Sequence, residues 1–278
     1  MQLTCYSSGG QQSTPGDEGA VFCVVSIEQV STGHQSNQAM PCGTGFAISN
    51  KHVLTARHNC ADAGEEVRSR FGLVKEIAVG EGIRKSAVIM LRHVESNAAD
   101  DWAVFERVDG EFASSVKICT EGRLPKASAS GSDQPTIGVK DYAVGLMSSF
   151  STSKLTVTSK STKLLRYEKR LPEADEGSAG ERPTFAMPLL EDAEIDASSP
   201  PPVEDVIVVF VEDGRFVSGS CGAPYFKADG EVVAFHVASA DDGDDASFGQ
   251  GYVLCRLPSF VTWYRGLTGT TISDVADA

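Results

Sequence analysis

Three short segments carry residue types that together can open an acyl bond. They are L-T-A-R-H at Leu54 to His58, D-W-A-V-F at Asp101 to Phe105, and G-S-C-G-A-P at Gly219 to Pro224. The nucleophilic form of cysteine is the thiolate, and a thiol of ordinary pKa, about 8.5, is only a few per cent ionised at neutral pH. Cys221 therefore needs a base within hydrogen-bond reach, and that base needs a group behind it to fix its tautomer. His58 supplies an imidazole and Asp101 a carboxylate. Glycines at 219 and 222 permit a tight turn with unusual dihedrals. Such a turn aims the backbone N–H groups of Gly219 and Cys221 at one point, an oxyanion hole. Taken singly, each residue has an ordinary reading, since a lone cysteine is usually a buried inert thiol. The order His, Asp, Cys gives the set its weight.

The elements that must position these residues are short and β-branched. Ala20 to Ile27 reads as a strand, and Gly45 to Ile48 with His52 to Thr55 reads as a hairpin across Ser49-Asn50-Lys51. Gly72 to Val79, Ala87 to Leu91 and Trp102 to Phe105 follow. A second set comprises Ile137 to Met147, Lys154 to Thr158, Lys163 to Glu168, Val206 to Val211, Ala223 to Lys227, Val232 to Val237 and Gly251 to Arg256. Pro258 to Gly266 suits a short terminal helix. Strands and turn signals at this spacing fit an antiparallel sandwich or barrel. Residues 1–19 are rich in Ser, Gly and Gln and read as a flexible arm. The division expected is a first β domain over 20–119, a linker over 120–135, and a second β domain over 136–278 with an acidic insertion near 170–205.

Composition narrows the function classes. The chain has 278 residues, 41% hydrophobic and 22% charged, as in a globular protein. No stretch approaches the roughly 20 uninterrupted apolar residues of a membrane helix. The net charge is −14, against the basic face a nucleic-acid binder needs, so a nucleic-acid partner is not expected. Seven cysteines, spread thinly, do not make a disulfide scaffold. No signal peptide is visible near Met1, so an intracellular, cytoplasmic location is expected rather than secretion. Neither C-x-x-C nor a third ligand near His58 and Cys60 suggests a metal site.

The motifs G-T-G-F at 43–46, T-A-R-H, D-W-A-V-F and G-S-C-G-A-P, in that order, resemble those of the chymotrypsin-like (trypsin-fold) peptidases over roughly residues 20–265. The resemblance implies an all-β chain of two antiparallel six-stranded β-barrels with a short C-terminal helix, the site lying between the barrels. It implies His58, Asp101 and Cys221 as the triad and Gly219 with Cys221 as the oxyanion hole. Cysteine at the nucleophile position moves the resemblance toward the viral 3C-like branch. The D-x-A-x-F spacing favours Asp101 over Asp100, and the nucleophile position between Gly-x and Gly favours Cys221 over Ser220. Where zymogens of this family carry an Asp that pairs with a freed amino terminus, this chain has Ser220, so activation by amino-terminal cleavage is not expected. Cys42 and Cys60 flank the histidine strand, as a disulfide does in secreted members; two thiols are expected here.

In the 3C-like branch a strand histidine lines the specificity pocket and an aromatic ring packs on it. His236 and Phe216 match those positions. Arg215 is the alternative pocket residue, and would select an acidic side chain. Val237, Ala238 and Ser239 would pair with substrate as an added strand. The expected activity is a cysteine endopeptidase acting after Gln or Glu on a peptide or protein, through a thioester, with no metal or organic cofactor and no membrane partner. The oligomeric state is left open. The alternative is a catalytically silent trypsin-fold module that binds peptide or RNA.

Overall fold

A computed structural model describes residues 19–30, 36–61, 66–67, 70–78, 88–119, 121–127, 134–142, 154–170, 204–211, 215–242 and 246–269. Residues 1–18 of the expected arm, residues 120 and 128–133 of the expected linker, and residues 171–203 of the expected insertion lie outside this set.

The first half is built on a long hairpin of β1 (Val21–Val30) and β2 (Ser36–Ala47). Its register runs from Val21↔Phe46 to Val30↔Ser36, with a bulge between Val24 and Val25 that leaves Cys42 as the extra residue. The second strand is thus longer than Gly45 to Ile48, because Ser36 to Pro41 continue the pairing. The strands β3 (His52–Ala56), β4 (Phe71–Val74), β5 (Ile77–Ala78), β6 (Ile89–Asn97) and β7 (Trp102–Arg107) follow. A closed barrel forms in the order β1-β2-β3-β7-β6-β4. Closure removes the unpaired edges that an open sheet would expose. Phe22, Phe46, Leu54, Leu73 and Phe105 fill it, each at most 1% exposed. Burying each contributes roughly 1.5–3 kcal/mol.

The second half comprises β8 (Lys117–Ile118), β9 (Thr136–Asp141), β10 (Lys154–Leu155), β11 (Thr158–Glu168), β12 (Val206–Val211), β13 (Pro224–Phe226), β14 (Glu231–Asp242) and β15 (Ala246–Val253). The order β13-β9-β11-β12-β15-β14 closes through the β13–β14 pairing into a second six-stranded ring. In β9, Ile137, Val139 and Asp141 share the buried face, two residues apart. The phase that buries two aliphatic side chains therefore buries a carboxylate with them. Strand β8, expected within the first domain, instead runs parallel to the start of β14, and β5 pairs with β10 across the two halves.

Helix α1 (Pro258–Thr268) begins at a proline suited to the first turn. It stops at Gly269, whose φ of 68° is the left-handed cap conformation. It crosses to the first barrel: the Trp102 ring lies edge-on to Phe260, and its Nε1–H donates to Ser259 Oγ at 2.8 Å. The residue after Asp101 is thereby locked. No helix among the described residues is long and apolar enough to cross a membrane.

Candidate active site

His58 sits in the single turn Arg57–Asn59 directly after β3. Asp101 ends the turn before β7, and its φ of 49° is left-handed, which few residues other than glycine adopt without a compensating contact. Three contacts hold it there. The Arg57 N–H donates to its carbonyl at 2.8 Å, and the His58 backbone N–H donates to Oδ1 at 3.0 Å. The third joins His58 Nδ1 to Oδ2 at 2.6 Å. Asp100 faces other partners. It accepts from Ser259 Oγ, and Arg170 Nη1 lies 2.9 Å from its Oδ1.

Cys221 comes from the opposite barrel. The tight turn beneath it uses Gly219 at φ 98° and Gly222 at φ 84°. A Cβ on Gly222 would lie 2.1 Å from the Thr44 carbonyl oxygen, so the close approach of the two barrels also requires glycine there. The Cys221 carbonyl accepts from the Thr44 N–H and from Asn59 Nδ2, each at 2.9 Å. Thr44 Oγ1 donates to the Gly219 carbonyl at 2.7 Å and accepts the Tyr142 N–H at 3.0 Å, while the Thr44 carbonyl takes the Thr55 hydroxyl at 2.7 Å. With these carbonyls turned toward the first barrel, the Gly219 and Cys221 N–H groups donate to no acceptor among the described residues.

Cys221 is close enough to His58 to act on its protonation, and its Sγ lies 3.7 Å from the Val237 carbonyl. Burial alone would lower the imidazole pKa. The hydrogen bond and charge of Asp101, with the influence of Cys221, outweigh it and raise His58 from its ordinary 6.5 to about 10. A thiol, an imidazole and a carboxylate are thus brought together across the seam, residue types whose combination can carry acyl transfer. Among the described residues no group of three His, Cys, Asp or Glu is placed to hold a metal ion.

His236 is 1% exposed and stacked on Phe216, with ring centroids 4.4 Å apart and planes at 15°. Its Nδ1 meets the Tyr225 hydroxyl at 2.7 Å. Burial, helped by the charges of Lys160 and His58, lowers the His236 pKa to about 3. Burial raises Tyr225 well above 10, so its hydroxyl keeps its proton. Arg215 is exposed. A bulge between His236 and Ala238 leaves Val237 out of the β14–β15 ladder, with its carbonyl 3.7 Å from Cys221 Sγ. Val237 and Ala238 are half-buried and Ser239 exposed. Beyond Phe235 the other edge of β14 has no strand partner among the described residues. Cys42 is a thiol that donates to the Val24 carbonyl at 3.3 Å.

The motifs do not mark Thr44, Asn59, Tyr225, Asp141 or Lys160. Thr44 lies inside G-T-G-F and Asn59 follows His58, so proximity was the available signal. Asp141 and Lys160 carried none.

No family model and no curated protein matches the chain. Solved structures do. The active form of the Rv3671c protease from M. tuberculosis aligns at TM-score 0.51 and 14% identity, over 88% of this chain and 81% of its own. Deg5 aligns at TM-score 0.51 and 13% identity, over 91% of each chain. The HtrA-type protease AlgW with a decapeptide aligns at TM-score 0.52 and 12% identity, over 92% of this chain and 66% of its own. At these identities the likeness establishes the fold, a trypsin-like double barrel.

Proposed function

We propose that the chain is a cysteine endopeptidase, similar to the 3C-like branch of the trypsin fold, that cleaves after Gln or Glu with Gln preferred. The observation that carries this reading is the hydrogen-bonded pair Asp101–His58 brought beside Cys221 across the seam of two barrels. The solved relatives described as proteases support hydrolysis of peptide bonds. The cysteine is this chain's departure, and it rests on Cys221 itself.

In this reaction the proton of Cys221 already rests on His58, whose pKa of about 10 keeps the imidazolium at neutral pH, and Sγ attacks the scissile carbonyl carbon. The carbonyl oxygen, now an anion, is met by the N–H groups of Gly219 and Cys221. Losing one such donor typically costs about 10²–10³ in rate. As the C–N bond breaks, His58 delivers its proton to the leaving amine, and the acyl group remains as a thioester. Water, giving a proton to His58, attacks the thioester, and the thiol leaves with that proton. Substrate aligns as a strand along Val237, Ala238 and Ser239.

The pocket argument follows from Tyr225. With its O–H donating to His236 Nδ1, Nε2 carries the imidazole proton. A neutral N–H donor suits the side-chain carbonyl of Gln, and a site built on a hydrogen bond can reject a non-bonding analogue by about 10⁴-fold. A cleavage profile against a peptide library tests the whole reading. Wild type should cleave after Gln, Cys221→Ala should cleave nothing, and His236→Ala should lose the preference. Arg215→Ala should keep it. Cleavage after Lys, Arg or Phe, or a profile indifferent to His236→Ala, removes the pocket role; full activity in Cys221→Ala removes the nucleophile.

A further inference from the structure

Asp141 is wholly buried, and its carboxylate serves three donors. Thr158 Oγ1 donates to Oδ1 at 2.6 Å, Ser220 Oγ donates to Oδ2 at 2.5 Å, and the Lys160 ammonium shares that same Oδ2. Lys160 is itself only 12% exposed along its side chain, and its ammonium lies 5.1 Å from the centroid of the Phe216 ring. A buried charge is tolerated when it is paired and its remaining lone pairs are satisfied, and both conditions hold. One partner of the carboxylate is the neighbour of the nucleophile. One partner of the ammonium is the ring stacked on the pocket histidine.

We propose that Asp141 and Lys160 are positioning residues, which hold the oxyanion turn through Ser220 and the His236 pocket through Phe216. The Ser220 hydroxyl spends its proton on Asp141 and accepts the Val217 N–H at 3.2 Å. That second bond, with the Ser220 N–H on the Val217 carbonyl at 3.0 Å, closes the turn that presents Gly219. With the carboxylate gone, the hydroxyl is free to rotate and the turn loses its floor. With the ammonium gone, Asp141 is a buried unpaired charge, and Phe216 loses its cation. The anchor is supplied entirely from within the chain, by β9 and β11. It rests on the proposed peptidase reading only for its effect on rate; the effect on the turn stands independently.

The test compares the full chain with Lys160→Met, Asp141→Asn, Lys160→Arg and Ser220→Ala. On a Gln-containing peptide, Lys160→Met and Asp141→Asn should lower kcat at least tenfold; KM should change less than threefold in Asp141→Asn and rise at least threefold in Lys160→Met, which also loses the support of Phe216. Lys160→Arg should recover kcat to within threefold of wild type. Backbone hydrogen exchange gives a readout that needs no catalysis. In Lys160→Met, exchange across 215–222 should rise at least tenfold while 52–59, which carries His58, stays unchanged. Ser220→Ala, the mildest change, should reproduce the exchange effect if the other variants fail to fold. A wild type that cleaves no peptide defeats the peptidase reading and leaves the exchange result to decide this one. Unchanged exchange in both Lys160→Met and Ser220→Ala, or an equal rise throughout the protein, overturns the positioning role.

Discussion

Asp100 and Asp101 are consecutive in the chain and belong to different networks. Asp101 grips His58 twice, at the backbone N–H and at Nδ1, whereas Asp100 joins Arg170 to Ser259 on the terminal helix. Replacing them should separate catalysis from stability. Asp101→Ala should lower kcat by at least about 10², since the imidazole loses its orienter. Asp100→Ala should leave kcat within a few-fold but lower stability by about 1–3 kcal/mol, because Arg170 and Ser259 lose a shared acceptor. Paired kinetics and urea melts check this. A larger kinetic loss in Asp100→Ala reverses the assignment.

Cys221→Ala should lose turnover by on the order of 10⁴–10⁶, as removal of a nucleophile does. Ser220→Ala should keep measurable turnover, reduced about tenfold through the loosened turn. Iodoacetamide followed by peptide mapping should label Cys221 ahead of Cys23 and Cys119. Cys23 is buried, and its thiol is pushed far up by burial; that of Cys119 is pushed up to about 11. Preferential labelling of either of these would contradict the site.

His58 should remain protonated to about pH 10 in the wild type. The sign of the linkage follows: the folded value lies above the ordinary 6.5, so the stabilisation from its partners is full below pH 6.5 and is lost as pH rises through about 10. Cys221→Ala removes one of the groups that raise the imidazole pKa, and Asp101→Asn removes the carboxylate charge. Each should lower the His58 titration midpoint, which NMR of the ring protons reads directly. A midpoint near 6.5 in wild type would show that the three side chains are not coupled.

Glu231 should govern acid stability. Its buried carboxylate meets Lys117 at 2.6 Å, Arg123 at 3.0 Å and Lys227 at 2.8 Å. Burial alone would raise its pKa; the hydrogen bonds and charges of Lys117 and Lys227 lower it to about 2. A depressed carboxylate stabilises fully above its unfolded value, near 4.5, and the contribution fades as pH falls from there through about 2. Glu231→Gln should therefore flatten the fall in unfolding free energy across that window, by on the order of 2–3 kcal/mol. Urea melts at stepped pH measure it, and an unchanged slope would move the acid sensitivity elsewhere.

The residues that meet at the seam were legible because they lie in short motifs. His58, Asp101 and Cys221 sit in segments whose order alone suggests a relay, and strands such as Val206–Val211 match their apolar runs. Extents were less legible where pairing continues through polar residues, as in Ser36 to Met40, or where a single turn divides one run into β4 and β5. The Asp141–Ser220 bond spans 79 positions and follows no motif. It exists because alternation in β9 points residue 141 inward, and alternation says nothing of what an inward carboxylate will meet.

Thr44 makes the cleft an alignment rather than a place. Through its N–H, its hydroxyl and its carbonyl, one side chain and its peptide tie Cys221, Gly219, Tyr142 and Thr55 into a single stitch across the seam. Gly222 presses against that stitch with no room for a methyl group. A shear of about 1 Å between the barrels would leave each barrel whole, yet a misplacement of that size can cost about 10²-fold in rate. The proposed activity is therefore a gauge of how the two halves register against each other. It should fade under mild denaturant or pressure while both barrels still give the spectrum of a folded protein.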